Sequence, residues 1–234
     1  DLATWGGAGI PSIGDAVTIN PGHNVVASAT GLCTNLTVLA GGTLSGSGNV
    51  ELRLSAGSAS VVNDGTISVA TIRMPTATGT YSLGGAGSWT SNLLIVDFAA
   101  VARLTTNVNF APATMVVATS STFSLNGFDF TFSGANFTNN GTVNLGASTF
   151  AFNGTNNFTH TVGSFTGAGS LIFAPGDGSA TIASDAVIAP SIQIASGILS
   201  GCFLSTVSGA LTIAAGATLH CDGGTMTVNG NLTV

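Results

Sequence analysis

The sequence predicts an all-β protein, a single-stranded parallel β-helix (β-solenoid) of about eleven coils of roughly 20 residues each. Three observations lead to this prediction. Similar phrases recur along the chain at near-constant offsets, phenylalanines recur at the same offset, and short alternating segments separated by turns take the place of helical patterns.

The repeated phrase is LTVLAGGTLS, which begins at Leu36. Related phrases begin at Met115, Ile192 and Leu211. The spacings between these starts lie close to multiples of about 20 residues, which is a plausible length for one coil of a β-helix. The phrase therefore marks the same position in several coils.

The phenylalanines repeat with the same period, in three series whose members lie about one coil apart. Equivalent positions of successive coils stack about 4.8 Å apart, so side chains at a constant offset form ladders through the core. The sequence therefore predicts three core ladders, formed by Phe110, Phe130 and Phe150, by Phe132, Phe152 and Phe173, and by Phe137 and Phe158.

Local patterns agree with short strands joined by turns. Segments such as 128–132 and 225–228 alternate polar and apolar residues, and Asn-Gly pairs at 126, 140, 153 and 229 punctuate them. We interpret residues 1–234 as one solenoid domain, with an opening segment at 1–25 and an uncapped last coil at 229–234. An antiparallel β-sandwich with hairpins at the same turns is the alternative fold.

The composition excludes several classes of partner. Charged residues make up 5% of the chain, lysine is absent, and the formal net charge is −6, so no basic patch is available for nucleic acid. The longest apolar run is too short to cross a bilayer as a helix, which argues against membrane insertion. The N-terminus has neither a cationic nor an apolar leader character, so we interpret the sequence as an extracellular or cell-surface form, secreted after removal of a signal peptide.

No constellation of side chains predicts catalysis, a cofactor or a metal site. No two of the nine acidic residues lie one coil apart or two apart on a strand, as a carboxylate pair acting on one bond would require. His23 and His160 are isolated, and the patch His220-Cys221-Asp222 points to alternate faces of a strand, which makes a poor chelate. We therefore expect a protein that is not an enzyme.

The cysteines predict one disulfide. Cys202 and Cys221 lie about one coil apart, and the spacing of neighbouring coils lies within the Cα separation that a disulfide requires. Cys33 has no partner at that spacing, so it is either a buried core residue or an intermolecular link. Glu51, Arg53 and Arg73 are expected to form a small ion-pair cluster on the surface.

The opening residues Trp5-Gly6-Gly7, followed by a Pro-x-x-Gly-Asp-x-Val-x-Ile-x-x-Gly phrase over residues 11–22, resemble the start of secreted bacterial parallel β-helix domains. The later LTV phrases and the segment NGNLTV at 229–234 resemble repeats of bacterial surface adhesins and autotransporter passengers. The resemblance implies an exported surface protein and brings no active site with it.

The last coil suggests a mode of assembly. Residues 229–234 are as strand-like as the interior, without the polar cap that normally protects the end of a solenoid. We expect head-to-tail binding of copies of the chain into an extracellular filament or surface layer. The alternative is an adhesin stalk or binding module from a longer surface protein, which uses Thr and Ser rows to bind glycans or surfaces. The expected assembly interface comprises Asp1, Leu2, Trp5, Asn231, Leu232, Thr233 and Val234.

Overall fold

The fold is that of a parallel β-solenoid, as seen in a computed structural model of the chain. The described residues contain strands, turns and bends but no helix, and every strand pair among them is parallel, which confirms the predicted all-β solenoid. The structure describes residues 11–52, 58–75, 79–97, 99–153, 157–160, 163–175, 179–182, 187–188, 190–201, 205–221 and 225–234.

Three sheets form the faces of the solenoid, and their strands are numbered here in chain order. The first sheet has eleven strands. They are β1 (Ala16–Ile19), β4 (Asn35–Val38), β6 (Ser58–Asn63), β8 (Thr80–Gly84), β11 (Val101–Leu104), β14 (Thr122–Ser124), β17 (Thr142–Asn144), β20 (Ser164–Thr166), β23 (Val187–Ile188), β26 (Ser205–Val207) and β29 (Met226–Val228).

The second sheet has twelve strands and the third has seven. The second contains β2 (Asn24–Val26), β3 (Gly31–Cys33), β5 (Thr43–Leu52), β7 (Thr66–Met74), β9 (Ser88–Trp89), β10 (Leu93–Val96), β13 (Thr114–Val117), β16 (Asn136–Asn139), β19 (Asn157–His160), β22 (Ser179–Ile182), β25 (Ile198–Ser200) and β28 (Thr218–His220). The third contains β12 (Val108–Phe110), β15 (Phe130–Phe132), β18 (Thr149–Asn153), β21 (Ser170–Ala174), β24 (Ser191–Ile194), β27 (Leu211–Ile213) and β30 (Leu232–Thr233).

The coils are longer and less regular than predicted. Ala16 pairs with Asn35, whereas Asn35 in turn pairs with Ser60, so the second step along the chain is clearly longer than the first. The turns between strands vary in length while the hydrogen-bonded strands stay in register, so the period changes from coil to coil. The solenoid has about nine turns, slightly fewer than the eleven coils predicted, although eleven strands stack in its first sheet.

The core follows from the two-residue alternation of each strand. Side chains at every second position point inward, as in β6, where buried and more exposed positions alternate. Stacked coils place equivalent inward positions in contact, so each face contributes continuous apolar ladders. Among the described residues, the largest side chains that are almost completely buried inside the solenoid are Tyr81, Trp89, Phe110, Phe123, Phe130, Phe132, Phe137, Phe150, Phe152, Phe165 and Phe173.

The phenylalanine ladders differ from the prediction at one position. Phe110 pairs with Phe132 and not with Phe130, because the register of β12 on β15 aligns Val108 with Phe130. Its ladder continues through Phe152 and Phe173, whose rings stack with their centroids 5.0 Å apart.

The other two series keep their predicted register. Phe130 pairs with Phe150, and their rings meet edge to face with centroids 4.9 Å apart. Phe137 pairs with Phe158 along the backbone of β16 and β19.

Glycines form a column at one corner of the solenoid, where successive turns approach too closely for a side chain. A Cβ at Gly65 would lie 2.3 Å from the backbone oxygen of Gly42, and a Cβ at Gly87 would lie 2.4 Å from that of Gly65. The turn beside this column is held by the buried Asn63, whose Nδ2 donates to Ser88 O at 2.9 Å. Glycine at this corner is therefore a packing requirement.

The same device occurs further along the chain, at the end of β16. The side chain of the fully buried Asn139 donates to Ser164 O at 3.2 Å and accepts from Gly141 N at 3.1 Å. A buried amide must form its hydrogen bonds within the protein, because water cannot satisfy them there. The two asparagines therefore fix the turns that follow β6 and β16.

We predict that Phe150→Ala lowers the free energy of unfolding by about 3–5 kcal/mol, because it empties a site with no solvent exposure in the centre of the ladders. The matched control is Phe128→Ala, which removes the same ring from a partly buried position and is expected to cost less. Urea unfolding followed by circular dichroism measures both. Equal losses would contradict the central role of the ladder.

We predict that Gly65→Ala costs at least about 1–3 kcal/mol, because the new methyl group overlaps backbone atoms that cannot move independently. Gly31→Ala is the control, since its nearest neighbour would be Asn49 O at 4.0 Å. That substitution is expected to be neutral or to stabilise by up to about 1 kcal/mol. Thermal unfolding measures the melting temperatures of both variants. Equal melting temperatures for Gly65→Ala and Gly31→Ala would contradict this account.

Candidate assembly surfaces

The last coil presents an open apolar edge. Leu232 of β30 pairs in register with Leu211 of β27, so the two residues occupy the same ladder position. Leu211 is 1% exposed because the next coil covers it, whereas Leu232 is 61% exposed and Val234 is 91% exposed. An edge strand of this kind offers unpaired backbone groups as well as apolar side chains to another strand.

The structure describes only the C-terminal residues of the predicted interface. Asn231, Leu232, Thr233 and Val234 are all exposed. Asp1, Leu2 and Trp5 lie outside the described residues. Four of the seven predicted interface residues are therefore exposed to solvent.

The first coil opens on an apolar cavity of about 180 Å³. Inward side chains of β1, β2 and β5 line it, and Val26 at its rim is 61% exposed. Its described lining residues come from the first two coils. Its lining includes Pro11, Val17, Ile19, Val25, Leu36, Leu44 and Val50.

The phrase at residues 11–22 shapes this opening. Asp15 accepts hydrogen bonds from the backbone N of Ser12 at 2.7 Å and from its hydroxyl at 3.0 Å, and these bonds lower the pKa of the Asp15 carboxyl. Gly14 takes a φ of 100°, which favours glycine, and its N–H donates to Thr34 Oγ1 at 3.1 Å. The phrase thus starts the first strand and connects it to the second coil.

The expected ion-pair cluster is present and extends further than predicted. Arg73 lies 3.7 Å from Glu51 through Nη1 and donates from Nε to Asp97 Oδ2 at 2.8 Å. The hydrogen bond with Asp97 is the largest cause that raises the pKa of the Arg73 guanidinium above its ordinary value. Arg53 lies outside the described residues. Asp97 was missed because it follows β10, and only the coil register brings it beside Arg73.

The cysteines differ from the prediction. Cys221 is a free thiol, which contradicts its expected disulfide with Cys202, a residue outside the described part of the chain. β25 pairs Ile198 with Thr218 of β28, an offset one position longer than the sequence separation of the two cysteines. Cys33 is 4% exposed and belongs to the core, the first of its two expected roles.

Regular Thr and Ser rows, the expected glycan-binding surface, are present only in part. Along the outer face of the first sheet, Thr122, Thr142 and Ser164 follow one another in register, and the last two hydroxyls lie 3.2 Å apart. Val101 interrupts the row with 39% exposure. This surface therefore lacks the regular spacing of free hydroxyls that a flat binding face would need.

Within the described residues, no group of three or more His, Cys, Asp or Glu side chains is close enough to hold a metal ion. His220 and Cys221 are described, whereas Asp222 is not. A search for membrane spans among the same residues found no helix that is long and apolar enough.

We predict different reactivities for the two described thiols. Burial raises the pKa of the Cys33 thiol from 9.0 to about 11, so Cys33 should resist maleimide at pH 7.5 in the folded protein, whereas the partly exposed Cys221 should react. Labelling followed by peptide mass spectrometry measures both thiols. If Cys221 resists labelling and reacts only after reduction, Cys221 forms a disulfide after all.

The same shift predicts a dependence of stability on pH. The unfolded thiol ionises before the folded one, so the contribution of Cys33 is complete below pH 9 and is lost as the pH rises toward about 11. Urea unfolding at a series of pH values measures this loss. Cys33→Ala is the control, because it should remove this part of the pH dependence.

Comparison with known families identifies one relationship. A family model of the G8 domain matches residues 4–133, which is more than half of the 234 residues. Neither a curated protein nor a solved structure matches the chain. The matched region runs from the opening segment to the end of β15 and includes the glycine column and the Arg73 cluster. The chain therefore belongs to the G8 domain family.

Proposed function

We propose that the chain is a structural subunit of an extracellular filament or surface layer, which assembles head to tail through the ends of its solenoid. The observation that carries the proposal is the contrast between Leu211, 1% exposed, and its ladder partner Leu232, 61% exposed. A further coil on β30 would bury Leu232 as β30 buries Leu211. Full burial of one leucine side chain is worth about 1.5–3 kcal/mol.

The first coil supplies a complementary surface. Its apolar cavity and the exposed Val26 present the same ladders from the opposite end, so the last coil of one molecule can continue into the first coil of the next. The two surfaces differ, which makes the contact heterologous. Such a contact does not close on itself and produces a linear polymer.

The composition supports a stiff, inert material. The chain is 5% charged, and its outward positions are rich in hydroxyl and amide side chains. Parallel strands stacked in register satisfy most of each other's backbone hydrogen bonds within the described sheets. The resemblance of the opening segment to exported β-helix proteins supports secretion to the cell surface.

The second candidate is a stalk or binding module of a longer surface adhesin. In that case further coils of the same polypeptide cover the open edge at β30, in place of a second copy. The two candidates share the fold and the chemistry of the edge. They differ in whether this chain self-associates.

We predict that the purified chain forms concentration-dependent linear assemblies and that Leu232→Lys abolishes them, because a lysine at the centre of the contact would be buried without a partner. Ile198→Lys is the matched control, since Ile198 is also an exposed apolar residue, 42% exposed, but lies on a side face. Analytical ultracentrifugation and electron microscopy of the three proteins measure the effect.

The control should assemble like the unchanged chain. A wild-type protein that stays monomeric at high concentration would refute the filament and favour the adhesin stalk. Loss of assembly in both lysine variants would show that assembly does not use the open edge.

A further inference from the structure

The third sheet does not run the whole length of the solenoid. It begins at β12, whereas β9, the strand that precedes it on this face, pairs with β7 of the second sheet. A bond of 3.1 Å from Ala111 N to Trp89 O joins the two coils beyond the end of β12, but no strand ladder joins β9 to β12. The strand ladder is therefore broken between β9 and β12, although the two coils stay in contact.

A groove of about 350 Å³ lies at the interruption. Its floor is the segment Gly85–Gly87, which carries no side chain larger than a methyl group. The glycines cannot be replaced, because a Cβ at Gly85 would lie 2.2 Å from Asn63 O and one at Gly87 would lie 2.4 Å from Gly65 O. The remaining lining residues are Asn107, Val108, Asn109, Asp129 and Thr131.

Several polar side chains of the groove form a hydrogen bond through one atom, while another polar atom of the same side chain remains available to a ligand. Asp129 accepts from Thr149 N through Oδ1 at 2.8 Å, and Asn107 accepts from Asp129 N through Oδ1 at 2.9 Å. Asp129 Oδ2 and the Nδ2 atoms of Asn107 and Asn109 make no hydrogen bond within the described part of the chain. The groove thus offers one carboxylate acceptor, two amide donors and the nearby hydroxyl of Thr131 to a ligand.

The charge of the groove limits the class of ligand. Asp129 is the single ionisable residue in the described lining, and Asp64 lies just behind the floor, where it accepts from Ala86 N at 3.0 Å. These carboxylates repel anions, and no cationic side chain among the described lining residues compensates them. One carboxylate is also too few for a calcium ion, which takes six to eight oxygen ligands, several of them from acidic residues.

We propose that this groove binds a neutral saccharide. Each sugar hydroxyl both donates and accepts, so adjacent hydroxyls match a carboxylate beside amide donors. An extended peptide fits less well, because the bond from Ala111 N to Trp89 O holds the two coils together and leaves no space for a strand between them. This site is separate from the assembly edge and does not depend on the proposed function.

The experiment titrates neutral oligosaccharides of glucose, xylose and N-acetylglucosamine into the Leu232→Lys variant, whose open edge is blocked, and follows binding by calorimetry and NMR. An oligouronate and an extended peptide are tested in parallel. We expect at least one neutral oligosaccharide to bind with a dissociation constant of 1 mM or less, on the order of 4 kcal/mol of binding free energy.

Three variants locate the site. Asp129→Asn retains an oxygen for Thr149 N but loses the charge, and we expect affinity to fall about tenfold, which corresponds to about 1.4 kcal/mol. Ala86→Trp fills the groove from an exposed position and should abolish binding without changing the melting temperature. Asp97→Asn is the matched control on another face, and it should bind like the parent.

The proposal is overturned if none of the neutral oligosaccharides binds at millimolar concentration, or if the oligouronate or the peptide binds in their place. It is also overturned if Asp97→Asn weakens binding as much as Asp129→Asn does. Because the measurement uses the variant with a blocked edge, failure here leaves the assembly proposal untouched. Failure of the assembly experiment likewise leaves this one intact.

Discussion

The in-register stacking of parallel strands determines the rest of this structure. Most strands hydrogen-bond to the equivalent strands of the coils before and after them, at the fixed spacing of a β-sheet. Any residue is therefore in contact with its counterparts one coil away on either side. The phenylalanine ladders, the buried asparagines and the ion pairs of Arg73 all follow from this spacing.

The same constraint explains both surfaces to which we assign functions. Each strand helps to bury the ladder residues of the strand before it, so the last described strand leaves its own ladder residue exposed. Leu232 is exposed in this way, whereas its ladder partner Leu211 is buried. Where the strand ladder is broken, between β9 and β12, the chain leaves a groove lined by polar side chains. The end and the broken ladder are the two places where the regular pairing of this solenoid stops.

Much of the fold followed from periodicity, because residues with the same role recur at nearly the same offset. The inward positions of Phe130, Phe150 and Phe152 were predicted from spacing alone. The register was less predictable, because one residue more or less in a turn moves a whole strand. Phe110 therefore pairs with Phe132 rather than with Phe130.

The sequence by itself determined the period, the low content of charge and the apolar character of Leu232 and Val234. The tertiary structure alone decided which residues of different coils meet. Asp97 contacts Arg73, and Asn107 and Asp129 come together beside Gly85–Gly87. These contacts depend on the register between coils, which the lengths of the turns set together. No short sequence pattern shows that combined length. The sequence pattern within each coil favours a parallel β-solenoid, whereas the register between coils positions its binding surfaces.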